Sequence, residues 1–296
     1  MTWFNHEVLP SFLRESIRLR GPRALPTTGA SALDAAEAQR RTAWSFWVVT
    51  TLAALVGLAL RVAYVLVAPP ISRLSDARGY YYIGKYLAEG RGYVNWGSML
   101  FRGVQAPSAA YAPLFSFLLS LLHRLGITAM ADQRLVICAL GVASVPLIAL
   151  LGRAVGGKST GQIAAVLAAL SPTLIEFDGA LMTESLYISL MTLAFLFIVV
   201  AWKRPTLPGW TLAGGLLGLA ALTRPEGLLF LPFLALPLAW TCQRRRRILL
   251  VLAASLGLVV VVLPWTIRNA VVFKRFIPIS QNFKGAIVGA NCKVAY

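Results

Sequence analysis

Charge of one sign is scarce in this chain. Only 11 residues are Asp or Glu, against 28 Lys and Arg, and charged residues make up just 13% of the sequence. Histidine is nearly absent, with His6 and His123 alone, and cysteine is limited to Cys138, Cys242 and Cys292. No glycine-rich phosphate loop, HExxH or GxSxG pattern occurs, which weighs against P-loop, zinc-protease and serine-hydrolase chemistry. The three cysteines sit in an apolar run, beside a basic cluster and near the end, without metal spacing or a disulfide framework. What is abundant is apolar surface: 58% of residues are hydrophobic and mean hydropathy is +0.71. Soluble domains hold about 45–50% apolar residues. The formal charge of +17 would suggest a nucleic-acid partner in a soluble protein. Here the basic residues concentrate in tails and loops between apolar runs, as positive-inside topology and lipid headgroups require, so no nucleic acid is expected.

Apolar runs fall at about 43–67, 113–126, 133–151, 159–175, 183–201, 210–223, 226–241 and 248–267. A spanning helix needs roughly 17–25 such residues. The loops between alternate runs carry Arg153 and Lys158, Lys203 and Arg204, and Arg244 to Arg247, whereas 172–184 contains no Lys or Arg. The basic loops and the N-terminus are therefore placed in the cytoplasm and the segments between them outside. Parity then forbids a full crossing by the short run at 113–126, which is predicted to be a partial or re-entrant helix. The expected architecture is an all-α integral membrane bundle of about seven transmembrane helices. Residues 1–42 form a disordered cytoplasmic tail, 68–112 a partly helical first outer loop, and 268–296 an outer C-terminal segment. Every acidic residue beyond the tail, from Asp76 to Glu226, falls on the outer side.

Three polar segments interrupt the apolar pattern. "RGYYYIGKYLAEG" reads as a short amphipathic helix, with Tyr82, Tyr86 and Glu89 at i, i+4, i+7 and Gly90 and Gly92 as its stop. Asp76 just before it either caps the helix or performs chemistry, and the tyrosines suit interfacial anchoring. In "SPTLIEFDGALMTESLYISL", Thr183 and Glu184 suit helix initiation, while three acids in one outer turn are a weak metal or general-base signal. In "LTRPEGLL", Arg224 either snorkels and pairs with Glu226 or binds a phosphate, for which a guanidinium is well shaped. Arg268 follows Trp265 at the exit of the last helix.

Taken in order, "SDARGYYYIGKYLAEGRGY", "YAPLFSFLLSLLHRLG", "QRLVICALGVASVPLIALLGRAVGG", "LSPTLIEFDGALMTESLYISL", "GLLGLAALTRPEGLLFLPF" and "LPWTIRNAVVFKRF" resemble the GT-C superfamily of membrane glycosyltransferases. The branch is that of protein O-mannosyltransferases and the aminoarabinose transferase. The resemblance implies a multi-helix module using a polyprenyl-phosphate-linked sugar. It places the first-loop carboxylate on Asp76, a second carboxylate on Glu184, the basic residue of the "T(R/K)" turn on Arg224, and further arginines on Arg134 and Arg268. Two departures stand out. Ala77 replaces a second adjacent acid, and Ala112 replaces the lysine of the aminoarabinose transferase. Members usually continue beyond the point where this chain stops at Tyr296, which implies a fragment or truncated product.

The implied reaction moves a sugar to a glycan, lipid or protein acceptor at the outer face of the inner (plasma) membrane. Asp76 serves as general base with inversion, and Glu184 orients the acceptor or holds a cation. Arg224, Arg268 and Lys85 face the leaving phosphate, and the first-loop tyrosines, Tyr82 among them, pack against sugar or prenyl chain. No particular cofactor is assigned, and a divalent cation is left open. The alternatives are a transporter or flippase of lipid-linked precursors, which would place ionisable groups at the bilayer midplane and show an internal repeat, and a non-catalytic membrane partner.

Overall fold

A computed structural model describes residues 29–68, 75–242 and 245–281 of the chain, which divides into two compact units, residues 1–45 and 46–296. Helix α1 runs from Gly29 to Val67. Residues 29–42, expected in a disordered tail, are thus helical, because "ALDAAEAQRR" is composed of strong helix formers without an internal proline or glycine. The remainder of the expected tail lies outside the described residues.

All other described elements are helical, and one isolated antiparallel bridge joins Val94 to Pro107. Four helical stretches are long and apolar enough to cross a membrane: Trp44–Val67, Met130–Gly156, Glu184–Lys203 and Arg247–Phe273. A fifth crossing is available if Lys158–Leu170 and Pro172–Gly179, bent by 53° at their junction, count as one broken span. The break is local chemistry. Ser171 accepts a hydrogen bond from the Leu174 amide at 3.5 Å and Pro172 takes the first helical position, where its missing N–H costs nothing.

The runs at 210–223, already short in the sequence, and 226–241 are expected to cross; their helices match the runs in length and fall among the shorter apolar helices of 10–17 residues. The first is a helix of 15 residues, Leu207–Ala221, about 22 Å long. The second, Pro225–Thr241, begins as a 3-10 turn over Pro225–Leu229, passes through a π turn over Leu231–Ala235 and becomes α-helical only at Leu236. Pro225, Pro232 and Pro237 each remove an amide donor and crowd the preceding turn, which prevents one regular helix.

Packing is closest between Leu207–Ala221 and Arg247–Phe273. A Cβ on Gly214 would overlap the Ala254 carbonyl, and one on Gly257 the Thr211 carbonyl, so both glycines are required for the two backbones to touch. Trp210, Ala213, Leu217 and Ala254 form the core between them. The opposite faces remain bare: Leu256, Val260 and Ile267 are all more than half exposed. Apolar surface on that scale needs a non-aqueous surrounding.

Charge is sorted by helix end. Lys203, at the end of Glu184–Lys203, donates to the Ala154 carbonyl, and Trp202 donates to the Thr241 hydroxyl at 3.0 Å. The basic segments near 153, 203 and 245 therefore meet at one end of the bundle. Glu184 begins the same 20-residue helix, about 30 Å away.

Candidate functional site

The first-loop helix α2, Asp76–Ala88, forms where it is predicted, and Gly90 and Gly92 end it with φ of 76° and 79°, values that glycine reaches without strain. Its buried residues are Ala77, Gly79, Tyr80, Ile83, Gly84 and Tyr86, so of the Tyr82, Tyr86 and Glu89 set Tyr86 alone is buried. Tyr80 is consequently no interfacial anchor. It is buried against Phe115 at the start of the partial helix Pro113–Arg124, ring centroids 5.4 Å apart, and against Tyr111, 4.7 Å apart.

Asp76 does not cap this helix. Ser75 holds the cap position, and Asp76 is the first helical residue, exposed, with Oδ1 accepting a hydrogen bond from the Tyr111 hydroxyl at 2.8 Å. Gly79 makes room for that bond: a Cβ there would stand 2.9 Å from the Trp96 indole nitrogen and 3.0 Å from the Tyr111 hydroxyl. Burial, then the Asp76 hydrogen bond and charge, push the Tyr111 phenol up to about 12. Burial pushes Tyr80 up further, reinforced by the charges of Asp76 and Glu184 and offset by a hydrogen bond to Thr183. Both phenols are therefore neutral at physiological pH; Tyr111 donates to Asp76, and Tyr80 packs between Tyr111 and Phe115 within reach of the Asp76 and Glu184 charges.

Glu184 begins its helix with no side-chain cap from Thr183, whose hydroxyl lies 3.3 Å from Glu184 Oε2. Its main partner is Arg224, forty residues on, through a direct Nη1–Oε1 ion pair. Glu226, expected as the partner of Arg224, is 3.7 Å from Nε. The Thr223–Arg224 turn reaches Glu184 because the Leu222 carbonyl accepts from the Leu114 amide at 2.9 Å, which satisfies an otherwise unpaired donor in the first turn of Pro113–Arg124. Just before Glu184, Leu181 is fully buried with φ of 57°, a strained conformation for a residue with a branched side chain.

Asp76, Tyr80, Tyr111, Glu184 and Arg224 thus gather at one end of the bundle. The other expected site residues do not. Tyr82 stacks on Trp96, centroids 6.2 Å apart and planes within 6°, and lies at the edge of the cluster. Lys85 is nine residues past Asp76, half a turn round the helix and about 13 Å along it. Arg134 is buried and donates to the Gly179 carbonyl at 2.6 Å. Arg268 donates to the Ser108 and Tyr93 carbonyls at 2.7 and 3.1 Å and stacks over Trp265 at 4.8 Å, tying the first loop to the last helix.

Two features escaped the sequence argument. Tyr111 was not singled out, although it stands immediately before the expected partial helix. Asp178, placed in an outer turn, is instead buried in Pro172–Gly179 and paired with Arg61 at 2.6 Å; the two side chains are 4% and 0% exposed. Arg61 also donates to the Gly57 and Ala169 carbonyls. An arginine inside an apolar run was itself the available signal, since such a charge demands a partner. Among the described residues no three His, Cys, Asp or Glu side chains gather as a metal site.

Bare apolar helices with ionisable groups sorted to their ends define a multi-pass, all-helical membrane protein. The chain belongs to the dolichyl-phosphate-mannose-protein mannosyltransferase family, whose model matches residues 110–267, more than half of its length. It is accordingly a membrane glycosyltransferase of the GT-C type. The matched span includes Tyr111, Glu184 and Arg224 and begins after Asp76. No curated protein shows a significant match to it.

Proposed function

We propose that this protein transfers a sugar from a polyprenyl-phosphate-linked donor to an acceptor hydroxyl at the outer face of the plasma membrane, with inversion. The observation that carries the proposal is the cluster itself: an exposed carboxylate, Asp76, that accepts from the neutral Tyr111 phenol, whose ring packs on Tyr80, at the same end of the bundle as the partly exposed Glu184–Arg224 ion pair. Asp76 removes the proton of the acceptor hydroxyl, whose oxygen attacks the anomeric carbon. The bond from that carbon to the phosphate oxygen breaks, and its electron pair leaves with the polyprenyl phosphate. Arg224, with 35% of its side chain exposed, offers the guanidinium N–H groups not used by Glu184 to that phosphate, a form of electrostatic stabilisation that is often the largest catalytic contribution. Glu184 holds Arg224 in place, and Arg134 and Arg268 position the surrounding backbone.

In this proposal the two shorter apolar helices cross as well, for seven crossings, and the basic end of the bundle and the N-terminus face the cytoplasm. A transporter of lipid-linked precursors is less well supported. The Asp76–Glu184–Arg224 groups lie at a helix end rather than midway, and the buried Arg61–Asp178 pair is held by its own ion pair and by the Gly57 and Ala169 carbonyls, with Arg61 Nη2 left without a partner among the described residues. Membranes containing the protein, supplied with a polyprenyl phosphate bearing a radiolabelled sugar, are expected to yield labelled acceptor of inverted anomeric configuration. Vesicles that move the labelled lipid between leaflets without any transfer would overturn the proposal.

A further inference from the structure

Helix α2 and the partial helix Pro113–Arg124 run parallel. Tyr80 meets Phe115, a Cβ on Gly84 would meet Leu119, and the Leu87 carbonyl accepts from Arg124. One end of this pair carries Asp76 and Tyr111. The other end, about 13 Å away, encloses a pocket of about 470 Å³ lined by Tyr81, Lys85, Glu89, His123, Arg124 and Thr128.

The polar groups of this second pocket are poorly used. Glu89 is engaged by Arg91 at 2.8 Å and is 3.9 Å from Lys85, so most of the Lys85 charge is left over. Arg124 makes one long contact, 3.4 Å to the Leu87 carbonyl. His123 Nε2 finds no hydrogen-bond partner among the described residues, and a buried polar group left unmet is destabilising. Phe117, Leu121 and Leu125, spaced i, i+4, i+8, are 45%, 53% and 66% exposed. Arg124, seven residues after Phe117, lies on the same helix face. An apolar track therefore leads directly to a cationic pocket.

We infer that this end of the helix pair binds an anionic phospholipid, its phosphodiester held by Lys85 and Arg124 and an acyl chain lying along Phe117, Leu121 and Leu125. A helix with an apolar face and basic residues beside it suits the headgroup boundary. The bound lipid anchors the first loop to the membrane at the end remote from Asp76. The inference stands independently of the proposed glycosyl transfer.

Native mass spectrometry of the full chain in detergent, titrated with phosphatidylglycerol or phosphatidylcholine of matched chains, tests it. At least fivefold preferential retention of phosphatidylglycerol is expected. The preference falls to near parity in Lys85→Glu/Arg124→Glu, persists in the control Arg102→Glu, and weakens severalfold in Leu121→Ser/Leu125→Ser, whose headgroup contacts are intact. Equal retention of the two lipids, an unchanged preference in the charge-reversed variant, or binding of inorganic phosphate without any lipid preference would overturn it.

Discussion

Replacing Asp76 with asparagine removes one negative charge and one proton-accepting site while changing the side-chain shape little. The amide oxygen of the new side chain still accepts from Tyr111, whose phenol is protonated far above neutral pH. Ser75, not Asp76, holds the helix cap, so the stability cost is limited to losing a carboxylate from a first helical turn, about 0.3–1 kcal/mol. The effect on catalysis is of another size. A positioned general base contributes about 10²–10⁴-fold, or roughly 2.7–5.5 kcal/mol at about 1.4 kcal/mol per tenfold. Asp76→Asn is therefore expected to fold, to reach the membrane at wild-type levels, and to transfer labelled sugar at no more than about a hundredth of the wild-type rate. Transfer at the wild-type rate by an equally abundant variant would refute Asp76 as the base. Loss of both protein and transfer would show that the aspartate holds the loop together, against the capping geometry.

Arg224→Gln is expected to lower transfer by about 10²–10³-fold, as removal of one transition-state donor does elsewhere. Glu184→Gln should be milder, because it leaves the arginine charge in place, and initial rates on the same donor would show the order. Asp178→Asn strands the Arg61 charge and should cost about 3–5 kcal/mol; Arg61→Met/Asp178→Leu should recover most of it, as read by thermal unfolding in detergent, and no recovery would contradict a purely structural pair. Gly257→Leu, which drives a side chain into the Thr211 carbonyl, should abolish the native detergent-stable form. A 295 nm alkaline titration should show Tyr111 ionising late. Its pKa is raised in the folded state from 10 to about 12, so its contribution to stability is intact below pH 10 and is lost as pH climbs from about 10 through 12. In Tyr111→Phe the late-titrating class should shrink by one phenol, and an unchanged class would contradict this placement.

Much of the scaffold is legible from local patterns. Apolar run length located four of the spans, whereas the bend at Ser171–Pro172 falls inside the run at 159–175, which run length treats as continuous. The glycines at 90 and 92 ended α2 as predicted. The helices at 207–221 and 225–241 match their apolar runs in length; what run length ignores is how Pro225, Pro232 and Pro237 interrupt the hydrogen bonding of the second. Asp178 was misplaced for a related reason. A carboxylate near a helix break looks solvent-facing until the partner is known, and its partner Arg61 lies 117 residues away.

Composition and hydropathy by themselves determined that the chain lives in a membrane and that most of its charges keep to helix ends, because burying an unpaired charge in hydrocarbon is costly; the exception, Arg61, is paired with Asp178. Periodicity likewise determined that "SDARGYYYIGKYLAEG" holds an amphipathic helix. Only the tertiary structure decided which residues meet. The Leu222–Leu114 hydrogen bond docks the Arg224 turn beside the first loop, and Tyr80 turns inward to join Asp76 and Glu184. Helix periodicity alone sets Lys85 on the far side from Asp76, since nine residues at 100° each amount to half a turn. Spacing along one helix is a local property, whereas contacts between residues 76, 111, 184 and 224 depend on how four separate segments pack.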